Sequence, residues 1–356
     1  MRFHGGSFWV KRKVVDFSVN INPLGIPTQL EEAINECCTR DVYSIYPDYN
    51  YTELKNAIAY FYDIESKNII PCNGASEALN LSIMALKPQT LIIVAPSYGD
   101  YELLCRGLNI KCVYEVMTEQ EDGFKIDFDK LSTIAKNSRN PVIILTNPNN
   151  PTGVVIPEKL LKDLARELHG KAWIIVDEAY SELSNYQGLL GDATHDNIIV
   201  VRSFTKIFGI PGLRIGFIYT IVRELLDVID ALRPTWNINT IAECALKKAL
   251  MEYKGELWKF IERSQKYVES ERNYLLRSLL RTRYKVYKSQ TNFLLLKHPW
   301  IDAVSLRNYL LEKYNILVRP AHTFRGLTIY HTRVSIRSRR ENELLVKALA
   351  QVQLPH

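Results

Sequence analysis

Between residues 68 and 219 the chain alternates two kinds of segment, a pattern that few folds accept. Apolar runs at 90–95, 110–116, 141–146, 172–177, 197–201 and 213–219 read as strands. Amphipathic stretches near 76–87, 98–108, 127–137 and 157–168 lie between them and read as helices. The strand runs are continuously apolar, so both faces of each must be covered. Such a chain is expected to be α/β, with a mostly parallel, seven-stranded-type sheet between helices. In sheets of this kind the ligand groups gather beyond the carboxyl ends of the strands. The flanks differ. Residues 1–50 look irregular, with a short helix expected at 28–38 behind Thr28 as its cap, and another from about 52 to 62. Residues 221–282 carry long helical patterns broken at 233–237. Strand-like 291–297, 316–319 and 329–336, a helix at 303–314 and a final helix predict a smaller α+β part. The expected division is an N-terminal segment, 1–45, joining the small domain, a large domain, 46–240, and a small C-terminal domain with a long connecting helix, 241–356.

The strand ends carry the chemistry. Lys206, in the stretch Ser203–Phe217, follows the run 197–201 among Ser, Thr, Gly and Pro, in an expected loop, with Arg214 eight positions on. A lysine can form a Schiff base with an aldehyde, and an arginine can hold a phosphate bidentately. An aldehyde and a phosphate on one molecule describe pyridoxal phosphate. Asp177 ends the apolar run 172–176, where a carboxylate is costly unless paired. Either a pyridinium nitrogen or a buried basic side chain would serve. Gly74, Ala75 and Ser76 open an amphipathic helix, which suits an anion or an ordinary cap. Tyr98 follows the run 90–95, where it can stack on a flat heterocycle or pack in the core. Asn150 lies in Asn147–Gly153, a segment too polar for a core and dense in turn formers.

Composition narrows the function classes. The 356 residues are 47% hydrophobic and 24% charged, as in globular enzymes, and the formal net charge is +6. No long basic run occurs, so nucleic acid is not an expected partner, while small anionic substrates are. The six cysteines have no CxxC spacing, so neither a disulfide framework nor a metal site is expected, and reduced thiols in the cytoplasm are. Nothing resembles a signal peptide or an apolar span of about 18 residues, so no membrane association is expected.

Taken together, NPNNPTG (147–153), DEAY (177–180) and SFTKIFGIPGLRIGF (203–217) resemble the fold-type I pyridoxal phosphate enzymes of the class I/II aminotransferase superfamily. The resemblance covers nearly the whole chain. It implies that Lys206 is the catalytic lysine that binds the cofactor covalently, that Asp177 pairs with the pyridine nitrogen, and that Asn150 and Tyr180 bond the ring hydroxyl. Tyr98 would stack on the ring, and Gly74, Ala75, Ser76, Ser203 and Arg214 would hold the phosphate. Tyr46, in a Tyr-Pro pair, would reach the phosphate of a neighbouring subunit, which implies a homodimer with shared active sites.

The chain's ends are similar to those of threonine-phosphate decarboxylases of cobalamin biosynthesis. His4-Gly5-Gly6, Asp16–Gly25, Arg233–Asn239, Ile316–Arg319 and Phe324–Leu327 carry that likeness. It implies that His4, Asn20, Arg319, Arg333 and Arg337 clamp the carboxylate and phosphate of a small phosphorylated amino substrate. A strand period of two puts Arg337 on the face of Arg333. Pro320 and Arg325 depart from the decarboxylase pattern, near the substrate end. Histidinol-phosphate aminotransferases share the core motifs and give the alternative expectation. A ligand-sensing, non-enzymatic domain is a remote one, and the intact Lys206, Asp177 and Arg214 oppose it.

Overall fold

The computed structural model describes residues 5–6, 13–192 and 194–352. Its centre is a seven-stranded sheet of β1 (Ile69–Cys72), β2 (Thr90–Ala95), β3 (Lys111–Val116), β4 (Pro141–Thr146), β5 (Trp173–Asp177), β6 (Ile198–Ser203) and β7 (Gly216–Tyr219). The spatial order is β1-β7-β6-β5-β4-β2-β3, with β6, β5, β4, β2 and β3 mutually parallel and β7 antiparallel to both its neighbours. The expected strand runs are all present within a few residues. β7 starts at Gly216 rather than 213, because Arg214 takes a left-handed φ of 55° that no strand accommodates. β1 lies beyond the expected set.

Alternate residues of the central strands feed two separate cores. Ile92, Val94, Ile143, Leu145, Ile174 and Val176 pack on one face, against helices that include Glu158–Glu167 and Thr240–Glu252. Leu91, Ile93, Val142, Ile144, Ile175 and Ile199 pack on the other, with Leu79 and Ile83 of helix Gly74–Leu86 and Ile229 of helix Arg223–Leu232. Each such side chain is worth roughly 1.5–3 kcal/mol when fully buried, which is why the runs are apolar without alternation.

A second sheet carries β8 (Lys285–Val286), β9 (Phe293–Lys297), β10 (Arg319–Pro320) and β11 (His331–Ser335), in the order β8-β9-β11-β10. Its own core includes Leu294, Leu296, Val334 and Leu345, and Phe17 from the N-terminal segment. Val15–Asp16 pairs in parallel with Ile316–Leu317, so the start of the segment 13–192 joins this part of the molecule.

Two expectations are corrected. Helix Thr28–Cys37 is preceded by Pro27 at the cap position; Thr28 is its first residue and makes no capping hydrogen bond there. The thiols are not all reduced: Cys37 is bonded to Cys244 and Cys105 to Cys112. The first pair joins residues 207 positions apart, a proximity that arises only once the helices pack. Cys38 and Cys72 are free. Among the described residues no helix is long and apolar enough to cross a membrane.

Candidate active site

Four parallel strands end at one place. Asp177 closes β5, Thr146 closes β4 directly beside it, Ser203 closes β6, and Pro96-Ser97-Tyr98 follow β2. Lys206 does not sit in a loop. It lies in a single helical turn, Phe204–Ile207, whose start is capped by Ser203 Oγ accepting from the Thr205 amide at 3.3 Å. Because β7 runs the other way, its beginning rather than its end faces this place, and Arg214 arrives from that side.

An inner cavity of about 140 Å3 lies among Ala75, Ser76, Asp177, Ser203, Lys206 and Arg214. An outer one of about 560 Å3 shares Tyr98, Asn150, Tyr180 and Lys206 with it. Asp177 is buried. Its Oδ1 accepts from the Ala179 amide at 3.1 Å and its Oδ2 from the Tyr101 hydroxyl at 2.7 Å. Burial pushes its pKa above the usual carboxylate range, while the Tyr101 and Ala179 hydrogen bonds and the Lys206 charge pull it back. Tyr98 is half-buried and donates to Asp100 Oδ2 at 2.8 Å.

At the far end, helix Gly74–Leu86 points its free amide groups at the inner cavity. Gly74 has φ +76°, and a Cβ there would come 2.7 Å from Arg214 Nη2. A side chain there would be strained by that φ and would displace the arginine from the helix start.

Three arginines line the outer cavity: Arg106, which pairs with Glu102 at 2.9 Å, and two from the second sheet. Arg319 and Arg333 are direct cross-strand partners on β10 and β11. Arg333 Nη1 donates to Asn150 Oδ1 at 2.6 Å and Nη2 to the Ser18 carbonyl at 2.7 Å, and its buried Nε has no hydrogen-bond partner. Arg319 donates to the Pro320 carbonyl at 2.7 Å and to Thr323 Oγ1 at 2.8 Å. Burial, then the nearby Arg333 charge, depress the Arg319 pKa to about 10. Asn20 Nδ2 donates to the Tyr180 hydroxyl at 3.4 Å, and its buried Oδ1 is without a partner.

One expected residue falls elsewhere, and two are not brought to this chain's own cavities by the described residues. Arg337 lies beyond the end of β11 and lines neither cavity. Its Nε and Nη2 hold Glu341 Oε1 at 3.0 and 2.8 Å, and Glu341 also completes the capping box of Ser338. Tyr46 lies outside both cavities, 72% exposed and stacked on Trp236. His4 lies outside the described residues. Conversely, Tyr101, Thr146 and Thr323 join the site with no sequence motif to mark them, and Ser18 joins it from the stretch Asp16–Gly25 without having been singled out.

A family model described as aminotransferase class I and II matches residues 12–349. The chain belongs to that family. It is 35% identical over 93% of its length to a provisionally named threonine-phosphate decarboxylase of Caldanaerobacter subterraneus subsp. tengcongensis, covering 88% of that protein. It is 31% identical over 96% of its length to the adenosylcobalamin biosynthesis bifunctional protein CobDQ of Leptospira interrogans, of which it spans 39%. The crystal structure of the histidinol-phosphate aminotransferase from Clostridium acetobutylicum superposes with a TM-score of 0.86 at 28% identity, covering 95% of this chain and 98% of that one.

Pyridoxal phosphate is therefore the cofactor of this aminotransferase-family enzyme. The residues fit it. The inner cavity offers an amine at Lys206, a buried carboxylate at Asp177, and an anion cradle at the helix start and Arg214 that a single Cβ would fill. Gly74→Ala is expected to weaken pyridoxal phosphate binding about tenfold and to cost roughly 1–2 kcal/mol in folding stability, from the left-handed φ and the displaced arginine. Cofactor titration and thermal unfolding of the variant check both.

Proposed function

We propose that this protein is an L-threonine O-3-phosphate decarboxylase that forms aminopropanol phosphate. The observation that carries the reading is the Arg319–Arg333 pair. Like charges placed directly opposite on neighbouring strands destabilise a sheet. Here both face the cavity that holds Lys206, so the arrangement suits a ligand with two anionic groups. A substrate with a carboxylate and a phosphate meets that demand. The 35% identity to a relative named for this activity supports the same choice.

In this reading Arg333 holds the α-carboxylate, and Arg319 with Thr323 holds the phosphate. Asn20 offers its unpartnered oxygen to the substrate. Pyridoxal phosphate, when bound, supplies an electron sink for a bond at the substrate α-carbon. Lys206 binds the cofactor and later delivers a proton to that carbon after CO2 has left. Asp177 would pair with the ring nitrogen, Asn150 and Tyr180 would bond the ring hydroxyl, and Tyr98 would cover the ring. Gly74, Ala75, Ser76, Ser203 and Arg214 would hold the cofactor phosphate. Because Arg333 also bonds Asn150, the substrate clamp and a cofactor contact move together. The protein acts as a homodimer in which Tyr46 reaches the other subunit's cofactor; its exposure, with Tyr43, Ile45 and Tyr49 also exposed, leaves an apolar surface for a second copy.

CO2 release from O-phospho-L-threonine, measured on cofactor-loaded protein without a keto acid, tests the reading. Sustained release is expected, with the visible absorbance of the lysine-bound cofactor intact. A single conversion of that absorbance to the amine form, without CO2, would instead establish a transaminase, the reading favoured by the likeness to the Clostridium structure.

A further inference from the structure

We propose that Tyr101 is a positioning residue for the cofactor. In this proposal a three-member hydrogen-bond chain, Thr146 to Tyr101 to Asp177, keeps Asp177 ionised and aimed at the ring nitrogen. The inference rests on the assignment of Asp177 to that nitrogen.

Tyr101 lies on helix Asp100–Leu108 and is 1% exposed. Its hydroxyl is 2.7 Å from Asp177 Oδ2 and 3.1 Å from Thr146 Oγ1. A phenol has one proton, and an ionised carboxylate can only accept. The Tyr101 proton therefore goes to Asp177, and the Thr146 hydroxyl must donate to the Tyr101 oxygen. The direction of the chain is thus fixed by proton count. Thr146 and Asp177 end adjacent strands as register partners, so the rigid sheet sets the geometry. Hydrogen bonds in series polarise one another, which strengthens the last one, onto the carboxylate.

The need for such a chain comes from burial. Asp177 is removed from water, and desolvation favours its neutral form. A neutral Asp177 could not hold a proton on the ring nitrogen by charge. Asp177 Oδ1 has the Ala179 amide as its donor and Oδ2 has Tyr101, so each oxygen is oriented and keeps capacity for the ring N–H. Tyr101 stays protonated throughout, since burial and the Asp177 charge both raise its own pKa far above the ordinary value. It is a donor that pH does not switch off. Its ring also meets Tyr98 edge-on, with centroids 5.7 Å apart and planes at 78°. One side chain therefore braces both the carboxylate assigned to the ring nitrogen and the aromatic proposed to cover the ring.

The test uses the holoenzyme and Tyr101→Phe, which keeps the ring and its contact with Tyr98 and removes only the hydroxyl. The expected results are a loss of at least about tenfold in pyridoxal phosphate affinity and in kcat, with KM for the amino substrate unchanged. The pH titration of the lysine-bound cofactor's visible absorbance is also expected to shift. Thr146→Val, which removes the first donor, should shift that titration in the same direction by less, and Thr146→Ser should restore it. Unchanged cofactor affinity and an unchanged titration in both Tyr101→Phe and Thr146→Val would overturn the proposal. Should Tyr101→Phe fold poorly, Thr146→Val alone decides. Asp177→Asn separates this failure from that of the underlying assignment. If Asp177→Asn alters the titration and Tyr101→Phe does not, only the role of Tyr101 is lost. If neither does, both are.

Discussion

Lys206→Ala is expected to abolish the visible absorbance of covalently held pyridoxal phosphate and to reduce turnover by on the order of 10^4-fold or more. Two functions leave with one side chain: the amine that binds the cofactor and the group that moves the proton at the substrate α-carbon. The fold should survive. Lys206 Nζ makes no hydrogen bond or ion pair among the described residues, and the turn that carries it is held by Ser203, Thr205 and a backbone contact from Asn22 to the Lys206 carbonyl. The variant should therefore unfold within a few degrees of the parent in a thermal scan. Turnover retained by this variant would remove the catalytic assignment, and with it the proposed function.

Arg333→Gln is expected to lower kcat/KM for O-phospho-L-threonine by about 30-fold to several thousand-fold. That range corresponds to the roughly 2–5 kcal/mol lost when one member of a buried, hydrogen-bonded charge pair is truncated. The pair is formed only with substrate, because Arg333 otherwise touches the Asn150 amide oxygen and the Ser18 carbonyl and keeps its Nε bare. A second readout follows from mass action: O-phospho-L-threonine should raise the Tm of the parent protein and raise that of the variant far less. A variant that unfolds early yet keeps its KM would assign Arg333 to holding the Ser18 segment in place rather than to the substrate.

The sequence made the central sheet legible because two-sided burial leaves long apolar runs such as Pro141–Thr146 and Trp173–Asp177. It concealed β1, where Pro71 and Cys72 interrupt a four-residue strand at the edge of the sheet. Among site residues, those in turn-rich stretches next to strands were readable, since polar and basic groups there have no structural excuse. Tyr101 was not. On an amphipathic helix a buried tyrosine looks like any packing residue, and what it bonds depends on which strand ends beneath it. Arg337 shows the reverse error. A period of two holds only while the strand lasts, and β11 stops at Ser335, so the following residues turn Arg337 toward Glu341. The Cys37–Cys244 bond was invisible for want of any local pattern, its partners being far apart along the chain.

The groups assigned to the cofactor and those assigned to the substrate come from different sheets. Asp177, Ser203 and Lys206 are anchored at the ends of strands in the seven-stranded sheet, whereas Arg319 and Arg333 ride on a four-stranded sheet with a core of its own. Mutations in that separate core need not disturb the larger sheet, whereas Phe293 and Leu295, which share the larger sheet's core, and the Arg333–Asn150 bond tie the two layers together. A lineage built this way can retain one reaction centre and drift across a range of amino compounds by editing the short strands β10 and β11 and the turn between them. Relatives with different activities would then be expected to diverge there first, and an engineer seeking a new substrate has some fifteen residues, 319–333, in which to begin.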